Sequence, residues 1–269
     1  MARQDTYTHG HQAAVVNQHA RRTAEDCARF MQPIVRSDST ILDVGCGPGS
    51  ITAGLSKWVP EGHVTAIEPG GDILDVARAA IDAAEASNVS VEEASVYELP
   101  YEDDSFDVAY AHQVLQHLTD PVAALIEMRR VVRPGGHIAV RDADYYTMSC
   151  YPESAAIDEW RRIYRAVARH NGAEPDAGRH LLAWCHRADL HEVNITASVW
   201  AFADAADREN WGMSWADRTL TSAFGAQAVE YEMATIEDLN EIASAWREWA
   251  VHPDGFFHFI HDEALAVVR

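Results

Sequence analysis

One stretch, Ile41 to Ser50 (ILDVGCGPGS), restricts the fold more than any other. Ile41-Leu42-Asp43-Val44 reads as a short apolar strand. Glycine then recurs at every second position, Gly45, Gly47 and Gly49, and a helical pattern begins at Ser50. A strand that passes through glycines into a helix brings backbone N–H groups and a helix N-terminus to one point. That point can take a carboxylate, a phosphate or the edge of a ribose. Glycine lets the ligand lie against the backbone, where a Cβ would collide. A loop that merely turns the chain is the plainer reading, and the residues that follow weigh against it.

The spacing narrows the ligand. A dinucleotide-binding turn, G-x-G-x-x-G, needs glycine at position 50, which is Ser50 here, and Pro48 removes one N–H donor from the loop. His63 to Glu68 reads as a second strand ending in an acid, where a carboxylate can accept both hydroxyls of a ribose. Val89 to Glu93 and Phe106 to Ala111 read as the third and fourth strands. Asp120-Pro121 opens a helix running to about Val132, with proline in its first turn. A turn at Arg133 to Gly136 precedes a fifth strand, His137 to Arg141. Strands alternating with helices give an α/β, doubly wound, parallel sheet, and ligands bind beyond the carboxyl ends of its strands. The glycine loop, Glu68, Ser95, His112 and Asp142 all fall at that edge.

Asp43 to Gly49, D-V-G-C-G-P-G, resembles the first motif of class I S-adenosylmethionine-dependent methyltransferases. Ala94 to Pro100 resembles the family segment G-D-A-x-x-L-P, with Ser95 where aspartate is usual. The likeness covers residues 40–142 and is greatest to the ubiquinone/menaquinone-biosynthesis type. It implies a Rossmann-like, mostly parallel seven-stranded sheet, with a sixth strand at about 192–202 and an antiparallel seventh at about 255–267. Residues 1–35 would form a helical segment over the site and 36–150 the cofactor-binding core. Residues 151–269 would complete the sheet and supply a Trp-rich helical lid at about 203–252. The resemblance implies S-adenosyl-L-methionine as cofactor, held by Asp43, Gly45, Cys46, Gly47, Gly49, Glu68, Pro69, Ser95, Val96, His112 and Gln113. His112 and Asp144 are the candidate catalytic groups. Histidine titrates near neutrality, which suits a base; the plainer role for His112 is a hydrogen-bonded wall residue. Tyr7, His11, Arg141, Tyr145 and Tyr146 are the candidate contacts to the acceptor, expected to be a small, partly apolar molecule.

The formal net charge of −21 repels nucleic acid and anionic membrane surfaces. No run of 18 apolar residues is long enough to span a bilayer, and the N-terminus has no apolar signal core. Cys27, Cys46, Cys150 and Cys185 have no zinc spacing and read as reduced cysteines of a cytoplasmic protein; no metal is expected. Seven of the eight tryptophans follow residue 150, so some are expected in the core and some in an acceptor pocket, and exposed aromatics there make a homodimer reasonable. Two rivals stand. A nicotinamide-dependent oxidoreductase is disfavoured by Ser50 and by the segment at 94–100. A module that binds the cofactor without turnover is not distinguished by any motif.

Overall fold

The computed structural model describes residues 5, 6, 8 and 13–269. The expected contacts Tyr7 and His11 lie outside the described residues.

Seven strands form one sheet in the order β3-β2-β1-β4-β5-β7-β6. They are β1 (Thr40–Val44), β2 (His63–Glu68), β3 (Val89–Glu93), β4 (Phe106–His112), β5 (Val132–Tyr151), β6 (Glu192–Phe202) and β7 (Phe256–Val267). The first five pair in parallel, and β7 runs antiparallel between β5 and β6. Central strands such as β1 are apolar at consecutive positions because both faces are covered. On one face α5 (Pro121–Val131) and α7 (Leu181–Arg187) bury Leu42, Ala109, Ile138 and Ala266. On the other, α2 (Ala24–Cys27) and α3 (Ser50–Ser56) cover Ile41, Val64, Tyr110 and Ala139.

A third apolar cluster holds the lid. There α6 (Ala155–His170), α8 (Ala205–Thr221), α9 (Ala223–Glu230) and α10 (Ile236–Val251) close on the far ends of β5 and β7. Trp160 is its hub, with the Trp215 and Trp246 rings 4.3 and 5.0 Å away, edge to face. Trp211 and Trp249 are buried in the same cluster, and Trp184 in the first. These tryptophans hold the lid together. Trp200, on β6, is the one of the seven that lines a cavity described below.

Two elements differ from expectation. Within the helical segment expected at 1–35 the helix is broken: α1 (Ala13–His19) stops, and Thr23 caps the separate α2 by accepting from the Asp26 N–H. Pro33 lies within a 3₁₀ turn, Arg29–Ile34, that follows. Strand β5 is much longer than 137–141. Antiparallel pairing with β7 continues to Tyr151, with an irregularity between Asp144 and Ser149.

Candidate functional site

All three loop glycines adopt positive φ: +70° at Gly45, +52° at Gly47 and +80° at Gly49. A Cβ on Gly45 would stand 2.5 Å from Val114 Cγ2, whereas one on Gly47 would meet nothing within 4 Å among the described residues. Gly45 is therefore a packing glycine and Gly47 an open one. Gly49 caps α3 and lies against the Ala77 backbone of α4 (Ile73–Ala83), at 3.1 Å from an added Cβ. Beneath the loop Asp43 is buried and accepts a 2.6 Å bond from Thr52 Oγ1; burial and the nearby Glu68 push its carboxyl up to about 7. Glu68 accepts from the Gly47 N–H at 2.9 Å, and burial raises its carboxyl too.

These groups line a cavity of about 450 Å³. Ten of the eleven expected cofactor residues border it: Asp43, Gly45, Cys46, Gly47, Glu68, Pro69, Ser95, Val96, His112 and Gln113. Gly49 is the exception and sits behind the loop as a cap. The volume falls within the range of small-molecule sites, roughly 300–1,000 Å³. Gln113 adopts φ +54°, an unfavourable conformation for a residue with a side chain, and its N–H bonds the Arg141 carbonyl at 2.7 Å.

That turn aims Gln113 at a buried polar wall. Arg22 donates to Gln113 Oε1 at 2.6 Å, and Gln113 Nε2 lies 2.6 Å from His261 Nε2. Since the amide oxygen is occupied by a cation, the amide nitrogen is the donor, so His261 Nε2 accepts and Nδ1 carries the hydrogen. Arg141 Nη1 faces His112 Nδ1 at 3.4 Å, which places the hydrogen of that ring on Nε2. Burial and Arg141 hold both imidazoles well below the ordinary pKa, hence neutral. His112 Nε2 and His261 Nδ1 are buried without a hydrogen-bond partner among the described residues.

The wall continues across the sheet. His112, Arg141 and Glu263 are in register on β4, β5 and β7, and Glu263 opposes Thr196 on β6. Glu263 accepts from Thr196, Ser198 and Arg141 at 2.6, 2.6 and 3.2 Å. The Trp200 ring has the Arg22 and Arg141 guanidinium carbons 5.5 and 5.1 Å from its centroid. On this side is a second cavity of about 830 Å³, bordered by Arg22, Arg141, Thr196, Ser198, Trp200 and Glu263 and, from α8, by Asp207 and Asn210.

Three expected site residues are not brought here. Asp144 was expected as a catalytic group; it is buried and gripped by Arg179 at 2.6 and 2.9 Å. Strand alternation explains this, because Asp144 lies at odd separation from Arg141 and so projects from the opposite face. Tyr145 is packed in the lid core, stacked on Tyr164 at 4.5 Å. Tyr146 is exposed, with Arg165 and Arg179 over its ring at 5.1 and 4.7 Å. Arg141 does reach the wall. Arg22, Trp200, His261 and Glu263 were missed. The signal was present on β7, where Phe257 and Phe259 alternate into His261 and Glu263, a buried apolar face turning polar.

The family model described as "Methyltransferase domain" matches residues 36–198. An uncharacterized methyltransferase of Schizosaccharomyces pombe is 37% identical over 93% of this chain and 92% of its own length. A demethylmenaquinone methyltransferase of Staphylococcus aureus is 36% identical over 46% of this chain and 51% of its own. Among solved structures, one from Bacillus halodurans described as a putative methyltransferase superposes with a TM-score of 0.59 at 19% identity, covering 90% of this chain and 98% of that one.

Proposed function

The chain belongs to the class I S-adenosylmethionine-dependent methyltransferases, and from that premise we propose that it methylates a small, partly apolar molecule at the wall between its two cavities. One observation carries the reading. Strand ends β1, β2 and β4 converge the glycine loop, Glu68 and Gln113 on one cavity of about 450 Å³. The residues fit S-adenosylmethionine. Gly47 leaves its backbone open to the cavity, and the Glu68 carboxylate stands beside it as an acceptor for ribose hydroxyls. Ser95 and Val96 border the same cavity where an adenine edge would be read.

When bound, the cofactor supplies a methyl group activated on sulfonium sulfur. The chain supplies the rest: the loop and Glu68 fix the nucleoside, and Gln113 fixes the methionine end. The lid and the N-terminal segment exclude water, which strengthens each electrostatic contact inside. In this proposal residues 36–150 hold the cofactor, while 1–35 and the sheet's β7–β6 side hold the acceptor, with 203–252 as the lid.

Calorimetric titration with S-adenosylmethionine and S-adenosylhomocysteine tests it. Micromolar binding of both is expected, and NADH binding in their place would favour an oxidoreductase. Turnover of any acceptor separates the enzyme from a binding module without catalysis.

Asp144 has a different expected part. Asp144→Ala should leave S-adenosylhomocysteine affinity within about twofold and lower stability by about 1.5–3 kcal/mol through loss of the charge-assisted pair with Arg179. Thermal unfolding beside calorimetry reads both. A large loss of turnover at parental stability would restore Asp144 to the chemistry.

A further inference from the structure

We propose that His261 is a positioning residue for the cofactor: it touches no ligand, and it sets the methionine end of the site by holding the Gln113 side chain in one orientation. The proposal rests on the methyltransferase reading above.

Gln113 directly follows β4, and its φ of +54° is one that a residue with a side chain seldom adopts. Such a backbone persists only where its surroundings hold it. Three contacts do so. The Gln113 N–H bonds the Arg141 carbonyl at 2.7 Å, Arg22 donates to Oε1 at 2.6 Å, and Nε2 lies 2.6 Å from His261 Nε2. The turn beyond is pinned as well, since Asp142 Oδ1 accepts from the Gln116 N–H and Gln116 Oε1 accepts from the Ala143 N–H.

Gln113 borders the smaller cavity, Arg141 the larger and Arg22 both, whereas His261 borders neither and is wholly buried. An effect of His261 on the cofactor must therefore pass through Gln113. Its strand makes it a firm anchor. β7 is bonded on both sides, with Ala143 of β5 and Ser198 of β6 opposite His261. The rings of Trp200, Phe259 and His112 stand 4.3, 4.7 and 5.9 Å from its own. An imidazole packed among three rings has one place to be, and so has the amide that bonds it.

Hydrogen-bond capacity decides what the amide has left for a ligand. A glutamine amide has two N–H donors and two lone pairs. Arg22, a donor only, takes one lone pair, and His261 Nε2 takes one N–H. One N–H and one lone pair remain on a side chain that borders the cavity. They match the methionine end of S-adenosylmethionine, whose carboxylate needs donors and whose ammonium needs acceptors. Removing the imidazole leaves a buried amide N–H without its acceptor. The amide then turns toward another partner, and the pair of groups offered to the ligand is lost.

Four full-length proteins test this by calorimetry with S-adenosylhomocysteine: the parent, His261→Leu, Gln113→Met and the double variant. His261→Leu should weaken binding about tenfold, as should Gln113→Met. The double variant should bind within about twofold of Gln113→Met, because the histidine has nothing left to position. His261→Gln, which can offer an amide oxygen to Gln113, should recover affinity to within about threefold of the parent. Thermal unfolding shows which variants are folded. Imidazole nitrogen shifts of the unliganded parent, with the His261 signal assigned from its loss in His261→Gln, read the same contact even if His261→Leu does not fold. They should place the His261 hydrogen on Nδ1. Parental affinity in His261→Leu, an undiminished tenfold loss when it is added to Gln113→Met, or a hydrogen on His261 Nε2 would overturn the proposal and leave the cofactor reading standing. A parent that binds no S-adenosylhomocysteine would strike the cofactor reading, and this proposal with it.

Discussion

Gly47→Val is expected to weaken S-adenosylhomocysteine binding by roughly a hundredfold or more, a loss of at least about 2.7 kcal/mol, with the sheet still folded. The reason lies in where the new atoms go. A Cβ at Gly47 meets nothing within 4 Å among the described residues, so the side chain enters the cavity instead of the core. The positive φ of +52° adds backbone strain of about 1–3 kcal/mol for a branched residue, so some loss of thermal stability accompanies the loss of binding. Gly45→Val is the control for a structural glycine. Its Cβ would stand 2.5 Å from Val114, and both folding and binding should suffer. Calorimetry and thermal unfolding on the pair separate the two cases. Parental affinity in Gly47→Val would remove the loop from the cofactor site.

Glu68→Gln should have the next largest effect. Each ribose hydroxyl bonded to a carboxylate contributes about 1.5–3 kcal/mol, against about 0.5–1.5 kcal/mol for a neutral acceptor. Losing the charge should cost about tenfold in affinity, and Glu68→Ala more. The pH dependence has a definite sign. Burial raises the Glu68 carboxyl in the free protein, so it takes up a proton at a higher pH than an ordinary glutamate. Hydroxyl donors favour the ionised form, so affinity should fall as pH drops through that raised value, and the Glu68→Gln variant should lose this slope. A parental slope in that variant would assign the titration to another group, Asp43 being the nearest candidate.

The lining of the smaller cavity was legible because its residues sit at strand ends announced by local pattern: an apolar run, then Gly45, Glu68, Ser95 or His112. The buried polar wall beside it was not, because that wall is assembled from β4, β5, β7, β6 and the segment at Arg22, which only the tertiary fold unites. His261 is far from His112 in sequence, yet their rings are 5.9 Å apart. The length of β5 was hidden for the same reason, since pairing with the distant β7 sets it. Asp144 was misplaced through neglect of parity: an odd step along the strand from Arg141 reaches the other face.

The place of β7 also bears on how the molecule can be built. Strand β6 hydrogen-bonds within the sheet only to β7, and β5 has β7 as its second neighbour. A nascent chain that has just exposed β6 therefore carries two unsatisfied strand borders until residues 256–267 leave the ribosome. The half that carries the glycine loop can assemble early from near-neighbour strands. The buried polar wall, with His261 and Glu263 on the strand inserted after the other six, waits for that step. Chains cut short before Phe256 should keep the glycine loop and expose edges that invite aggregation.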